Sequence, residues 1–341
     1  MKILIPSIQV PFISGGAELM TYGLKNALIE NGHEVEVVTF PFKFSPLTEL
    51  ELLMDYCKSS LFDNFNGYNV DLVIALQFPA FYIQHPNRVL WLMHQHRSVY
   101  DLYSEQESST ELRLFRKKVH NLDSNELASY PKRFSMCQNI TDRLRHYNNI
   151  DSTPVYHPPN NHTLFYNAGI ENFIFCPSRL ECLKRQDLLI QALVHSKSNV
   201  GVIIAGTGGQ EAQFKELAES LGVAERIRFV GYISEQEKRA YYAHCLAVFF
   251  GPQDEDYGYI TLEAFLSSKP VITCHDSGGP TEFVIDQRNG YIVEPKPEQI
   301  AEKIDYLVAN KQHAEVMGQE GLVSYREKSI TWQNVVEKLL G

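Results

Sequence analysis

The sequence predicts an α/β protein built from two Rossmann-like domains, each an open parallel sheet with helices against it. Three observations predict this. The 341 residues exceed what a single core usually supports. Short apolar runs alternate with amphipathic helical stretches along most of the chain, the pattern of a doubly wound sheet. That alternation breaks at His157-Pro158-Pro159-Asn160-Asn161 and then restarts, which puts a linker over 157–171.

Taken in order, 2–6 is a strand of the buried type. A loop with Pro11 and the pair Gly15-Gly16 follows, then helical spacing over 17–30 that stops at Asn31-Gly32, and a strand over 34–39. This opening is a βαβ unit with paired glycines in its first turn. Helical spacing over 47–62 leads to strands at 71–76 and 88–93, the second running into His94-Gln95-His96-Arg97. A helix over 108–129, short strands at 134–137 and 155–156, and a helix over 140–147 complete the first half. Beyond the linker, strands are expected at 173–176, 200–205, 226–230, 246–250, 271–274 and 291–293. Helices are expected at 186–195, 210–221, 235–243, 260–268 and 297–309. The tail over 331–340 has one apolar face with Trp332, Val335, Val336, Leu339 and Leu340. No period repeats as in a solenoid.

Composition narrows the function. A net charge of −10 argues against nucleic acid or anionic lipid as a partner of the whole surface, since both select basic faces. The cluster Arg113, Arg116, Lys117, Lys118 reads as a solvated helix face, with peripheral contact to a membrane surface as the minority alternative. The six cysteines are scattered without a CxxC pair, as reduced core residues of a cytosolic protein would be. The chain opens directly on a strand, and no run approaches the length of a membrane span. A cytoplasmic location is therefore expected.

The stretch over 245–284 holds the densest chemistry. Its centre reads Glu255-Asp256-Tyr257-Gly258-Tyr259-Ile260-Thr261-Leu262-Glu263, followed by Pro270-Val271 and Gly278-Gly279-Pro280-Thr281-Glu282. Gly258 allows a tight turn into a helix whose first amides, on Tyr259, Ile260 and Thr261, have no partner inside it. Such an end carries partial positive charge and suits a diphosphate. Glu255 would stand beside what the diphosphate carries, and Glu263, about two turns into the helix, would accept from ribose hydroxyls.

With Glu255, Gly258, Glu263, Ala264, Pro270-Val271, Gly278-Gly279 and Glu282 in this order, the stretch resembles the signature of the GT-B retaining glycosyltransferases of family 4. The resemblance implies two Rossmann-like domains facing each other across a cleft, with a terminal helix crossing back onto the first. It implies an acceptor-side domain over 1–160 with 325–341 returning to it, and a nucleotide-sugar domain over 171–324. Ligands of open α/β sheets bind at the carboxyl ends of the strands, where each of these motifs falls.

By the same resemblance Arg179 and Lys184, five residues apart after the strand at 173–176, grip the phosphates. Arginine offers two donors to phosphate oxygens and lysine a point charge. Gly15-Gly16 resembles the family's glycine loop, and His94 a histidine near the transferred sugar. Gly206 lies in a loop near the nucleotide, and Gly231-Tyr232 where backbone groups meet the base.

His94 and His96 form an HxH pair without a third ligand at convincing spacing, so zinc is not expected there, and the resemblance implies no essential metal. Gly206-Thr207-Gly208-Gly209 misses the third glycine of a dinucleotide fingerprint, where Glu211 stands, which argues against an NAD enzyme. No cofactor is expected beyond the nucleotide-sugar co-substrate. The reading is transfer of a hexose-type sugar, from a UDP-sugar in preference to a GDP-sugar, in polysaccharide or glycoconjugate biosynthesis, and the resemblance implies retained configuration. Acceptors left open are an oligosaccharide, a lipid-linked glycan and a small molecule. The rivals are a sugar-nucleotide epimerase on the same fold and a non-catalytic nucleotide-sugar or glycan-binding protein.

Overall fold

The apolar runs of the first half become strands because buried parallel strands must be covered on both faces. A computed structural model describes residues 1–12 and 15–341. Contacts divide the chain into one unit of 1–157 with 331–341 and a second of 158–330.

In the first unit the order is β1 (Lys2–Gln9), α1 (Gly16–Glu30), β2 (Glu34–Pro41), α2 (Leu47–Ser59), β3 (Asn64–Phe65), β4 (Tyr68–Asn69), β5 (Leu72–Gln77), β6 (Arg88–His94), α3 (Thr110–Ala128), β7 (Lys132–Ser135), α4 (Gln138–Asn148) and β8 (Thr153–Pro154). Its six-stranded sheet runs β2-β1-β5-β6-β7-β8 with parallel pairs throughout. The β3–β4 hairpin, which carries no strong apolar alternation, stands apart as an antiparallel pair. The last strand forms at Thr153–Pro154 rather than at 155–156, because these two residues register with Phe134 and Ser135.

The second unit contains β9 (Phe173–Pro177), α5 (Gln186–His195), β10 (Gly201–Ala205), α6 (Glu211–Ser220), β11 (Ile227–Gly231), α7 (Glu235–His244), β12 (Ala247–Phe249), α8 (Tyr259–Leu266), β13 (Val271–Cys274), β14 (Gly290–Val293), α9 (Pro297–Ala309) and α10 (Lys311–Glu327). Its sheet runs β11-β10-β9-β12-β13-β14. With its strands counted from β9 this is the order 3-2-1-4-5-6, whose switch point lies between β9 and β12. The loops that leave those two strands are where a ligand of this sheet is expected. A buried cluster including Ile174, Leu189, Ile190, Val202, Ile204, Phe249, Ile272, Ile300 and Ile304 holds the sheet to its helices.

Two features were not foreseen. Helix α10 follows α9 directly, its break marked only by Asn310, and packs on α8. Residues 325–330 remain with the second unit instead of crossing back, and within them the buried Tyr325 donates its hydroxyl to the Ile330 carbonyl at 3.1 Å. The return begins at Thr331, which caps α11 (Trp332–Leu340) by accepting from the Asn334 amide at 3.1 Å. Trp332 then lies edge-on to Trp91, with ring centres 6.3 Å apart, and against Gly23 of α1, where a methyl group would meet its ring. No helix among the described residues is long and apolar enough to cross a membrane.

Candidate nucleotide-sugar site

The loop after β9 is shaped by the glycine loop after β10. Ser178 donates its amide to the Ala205 carbonyl at 2.9 Å, and Leu180 donates to Thr207 at 3.0 Å. Gly206 has φ +133°, and a Cβ there would lie 1.8 Å from the Ser178 carbonyl oxygen, so the position tolerates glycine alone. Buried Gln186 donates to the Arg179 carbonyl at 3.0 Å. The backbone of Arg179 is thus fixed from two sides while its side chain is exposed. No ion pair engages that guanidinium among the described residues.

Lys184 and Glu255, 71 positions apart, meet as a half-buried ion pair between the two switch-point loops. Sequence reasoning gave them adjoining tasks, and the fold puts them in direct contact. The Glu255 backbone is clamped by the loop after β13. Its amide donates to Ser277 at 2.9 Å, its carbonyl accepts from Gly279 at 2.7 Å, and Asp254 donates to Asp276 at 2.8 Å.

Gly258 precedes α8 with φ +87°, and a Cβ would press to within 2.8 Å of Pro280. Of the three helix-start amides, Thr261 is not available: it donates to the Gly258 carbonyl at 3.0 Å, and its side chain is fully buried. A tightened first turn uses that donor internally. Tyr259 and Ile260 are half-buried residues of the first turn.

Glu263 lies one turn into α8, not two, and is buried. It accepts from Lys238 at 2.8 Å and from the Tyr242 hydroxyl at 2.7 Å, both from α7. It is therefore engaged by protein groups, with only part of its acceptor capacity left over. Burial, and then the adjacent Glu263 charge, push the Tyr242 phenol well above its ordinary pKa. Tyr232 follows β11 and is 84% exposed.

In the first unit, Gly15 precedes α1 in an extended conformation and gives its amide to the Glu18 carboxylate at 2.7 Å. Gly16 is the first residue of α1. The Gly15 amide is thus engaged by a carboxylate, where a diphosphate had been expected to lie. His94 ends β6, half-buried, with Nδ1 2.8 Å from the Gln95 carbonyl.

His96 is not a second metal ligand. It stacks on Phe78 with centres 4.9 Å apart, and burial pushes its pKa down to about 4. No group of three or more His, Cys, Asp or Glu is placed to hold a metal among the described residues.

Sequence reasoning missed three contributors. Lys238 and Tyr242 hold Glu263 from a helix that shows no motif. Arg185, next to Lys184, sits at φ +51° and reaches the Gly251 carbonyl at 2.8 Å, the Pro252 carbonyl at 2.6 Å and both oxygens of Asp276 at 2.7 and 2.6 Å. Hydrogen bonds from Arg185 hold the Asp276 carboxyl below its ordinary pKa. A basic residue beside Lys184 was the sole signal.

Known proteins resemble this chain in sequence and in fold. Residues 167–322 match the family described as glycosyl transferases group 1. An uncharacterized glycosyltransferase of Methanocaldococcus jannaschii is 23% identical, over 99% of this chain and 96% of its own. The GDP-mannose-dependent alpha-(1-6)-phosphatidylinositol monomannoside mannosyltransferase of Mycobacterium tuberculosis is 30% identical over 46% of this chain and 43% of its own, less than half of either protein. Among solved structures, sucrose-phosphate synthase from Thermosynechococcus elongatus superposes with a TM-score of 0.76 at 18% identity, covering 99% of this chain and 98% of that one. Anabaena HepE in complex with UDP gives 0.70 at 18% identity over the full length of both. These likenesses establish the fold as GT-B for the chain as a whole, and the match to glycosyl transferases group 1 covers residues 167–322 of its second unit.

Proposed function

We propose that the protein transfers a sugar from a nucleoside-diphosphate sugar to an acceptor hydroxyl, using Arg179, Lys184 and Glu255 of the second unit at the donor. The observation that carries this is an exposed, unengaged guanidinium in the same switch-point loop as the Lys184–Glu255 pair. A cation already paired with a carboxylate is a poor anion site unless the pair opens. An arriving diphosphate brings more negative charge to Lys184 than Glu255 does, so Lys184 turns to the phosphate and frees Glu255 to face the sugar.

Loss of the diphosphate builds negative charge on its oxygens, and fixed donors there lower the barrier. Charge-assisted hydrogen bonds contribute roughly 1.5–3 kcal/mol each. Arg179, Lys184 and the Ile260 amide are the donors in this account, and no metal is required by it. Transfer proceeds with retention by same-face attack, the leaving phosphate taking the acceptor's proton, and Glu255 orients the sugar without forming a bond to it. Gly206 and Tyr232 border the nucleotide.

The test is release of free UDP or GDP from UDP-glucose, UDP-N-acetylglucosamine and GDP-mannose, with and without a panel of sugar and lipid-linked acceptors. Release that requires an acceptor supports transfer. Conversion of the sugar-nucleotide with no acceptor present would establish epimerisation instead, and tight binding without turnover a binding protein.

A further inference from the structure

We infer that Arg185 is a positioning residue, the tie that sets Glu255 against Lys184. The inference rests on the transferase reading above.

Arg185 occupies a left-handed backbone conformation, φ +51° and ψ +42°, between the single turn Cys182–Lys184 and helix α5. Glycine would adopt it at lower cost, and a strained residue persists where its surroundings over-determine it. The side chain shows what the strain sustains. From the loop after β9 it spans to the Gly251 and Pro252 carbonyls after β12 and to the Asp276 carboxylate after β13.

Those three strands are neighbours in the sheet, in the order β9-β12-β13. A single planar group thus links three loops at the carboxyl end of the sheet. The Asp276–Gly279 loop in turn grips the Glu255 backbone, and Gln253 donates to the Leu183 carbonyl at 2.8 Å. The side chain of Arg185 points its donors at protein and is only 14% exposed, so it acts on the donor through Glu255 and Lys184. A lysine would supply charge without the planar fork that serves two carbonyls and a carboxylate together.

The test is Arg185→Gly, which suits the backbone and removes only the tie. Its melting temperature should stay close to that of the parent, while kcat for transfer falls about 10- to 100-fold, the scale of a misplaced catalytic group. KM for the nucleotide-sugar should change much less, and millimolar guanidinium chloride should restore part of kcat. An unchanged kcat would overturn the inference, as would a fall in kcat that tracks a fall in melting temperature and resists guanidinium. If the parent protein transfers no sugar, the transferase reading fails by itself. Amide exchange then decides: loosening confined to 251–258 and 276–279 in Arg185→Gly supports the tie, and unaltered exchange there refutes it.

Discussion

The carboxyl-end loops of the two sheets differ in how they are held. In the second unit the loops after β9, β12 and β13 are bound to one another by Arg185, by the Lys184–Glu255 pair and by the backbone ladder from Asp254 to Gly279. In the first unit, Gly15 gives its amide to the Glu18 carboxylate, His94 leans on its neighbour's carbonyl, and further polar groups pair in the interior. There Gln95 donates to Asn148 at 2.7 Å, and Tyr82 and Tyr100 donate to the fully buried Asp123. The difference is in what does the tying: in the second unit one guanidinium joins three neighbouring strand-end loops, while in the first unit the loop after β6 is held to α3 by Arg116 and to α4 by Arg143.

The largest effect expected from this contrast is on stability. Glu263→Ala leaves the buried Tyr242 hydroxyl without its acceptor and Lys238 with Glu235 alone, at a cost of about 3 kcal/mol. Urea unfolding measures it, and a loss under about 1 kcal/mol would mean that α7 and α8 do not depend on that contact.

Turnover comes next. Arg179→Ala and Lys184→Ala should each lower kcat/KM by about 10- to 150-fold, the equivalent of one charge-assisted contact of ~1.5–3 kcal/mol. Wild-type turnover in both would remove phosphate binding from the second unit.

The first unit should answer to pH instead. Burial raises the Asp123 carboxyl to about 7, with the Tyr100 and Tyr82 hydrogen bonds opposing part of that rise. Between the unfolded value near 4 and about 7 the folded state binds more protons, so this group makes stability fall as pH rises through that window, by at most about 4 kcal/mol. Asp123→Asn should flatten the unfolding free energy between those pH values, and an identical slope in both proteins would show that Asp123 does not titrate there.

The smallest effect is assigned to His94. Its Nδ1 is already engaged by the Gln95 carbonyl. His94→Ala should lower turnover by less than about 10-fold, or ~1.4 kcal/mol. A loss as large as that of Lys184→Ala would erase the contrast between the units.

The same contrast explains what could be read from the sequence. Glu255, Gly258, Arg179 and Lys184 were legible because they fall in the order and spacing of a family signature, and Gly206 because it opens a glycine run whose backbone passes where a side chain cannot. The Glu255–Lys184 contact was hidden, since it joins loops 71 residues apart. Arg185 and Lys238 looked like ordinary surface cations, and only three-dimensional neighbours give them a task. His94 and His96 looked alike in the sequence, yet stacking on Phe78 makes the second a packing residue. Helix α10 went unmarked because its apolar face is interrupted by Gly318 and Gly321, which pack closely on the Ser268 backbone and on Phe265.

The most direct measurement is the melting temperature of the parent and of the Arg179→Ala/Lys184→Ala double variant with saturating UDP or GDP. A ligand at 100 times its Kd adds about 2.7 kcal/mol to the folded state. The account predicts a clear rise for the parent with one of the two nucleotides and little or none for the double variant. No rise in the parent, or the same rise in both, would contradict it.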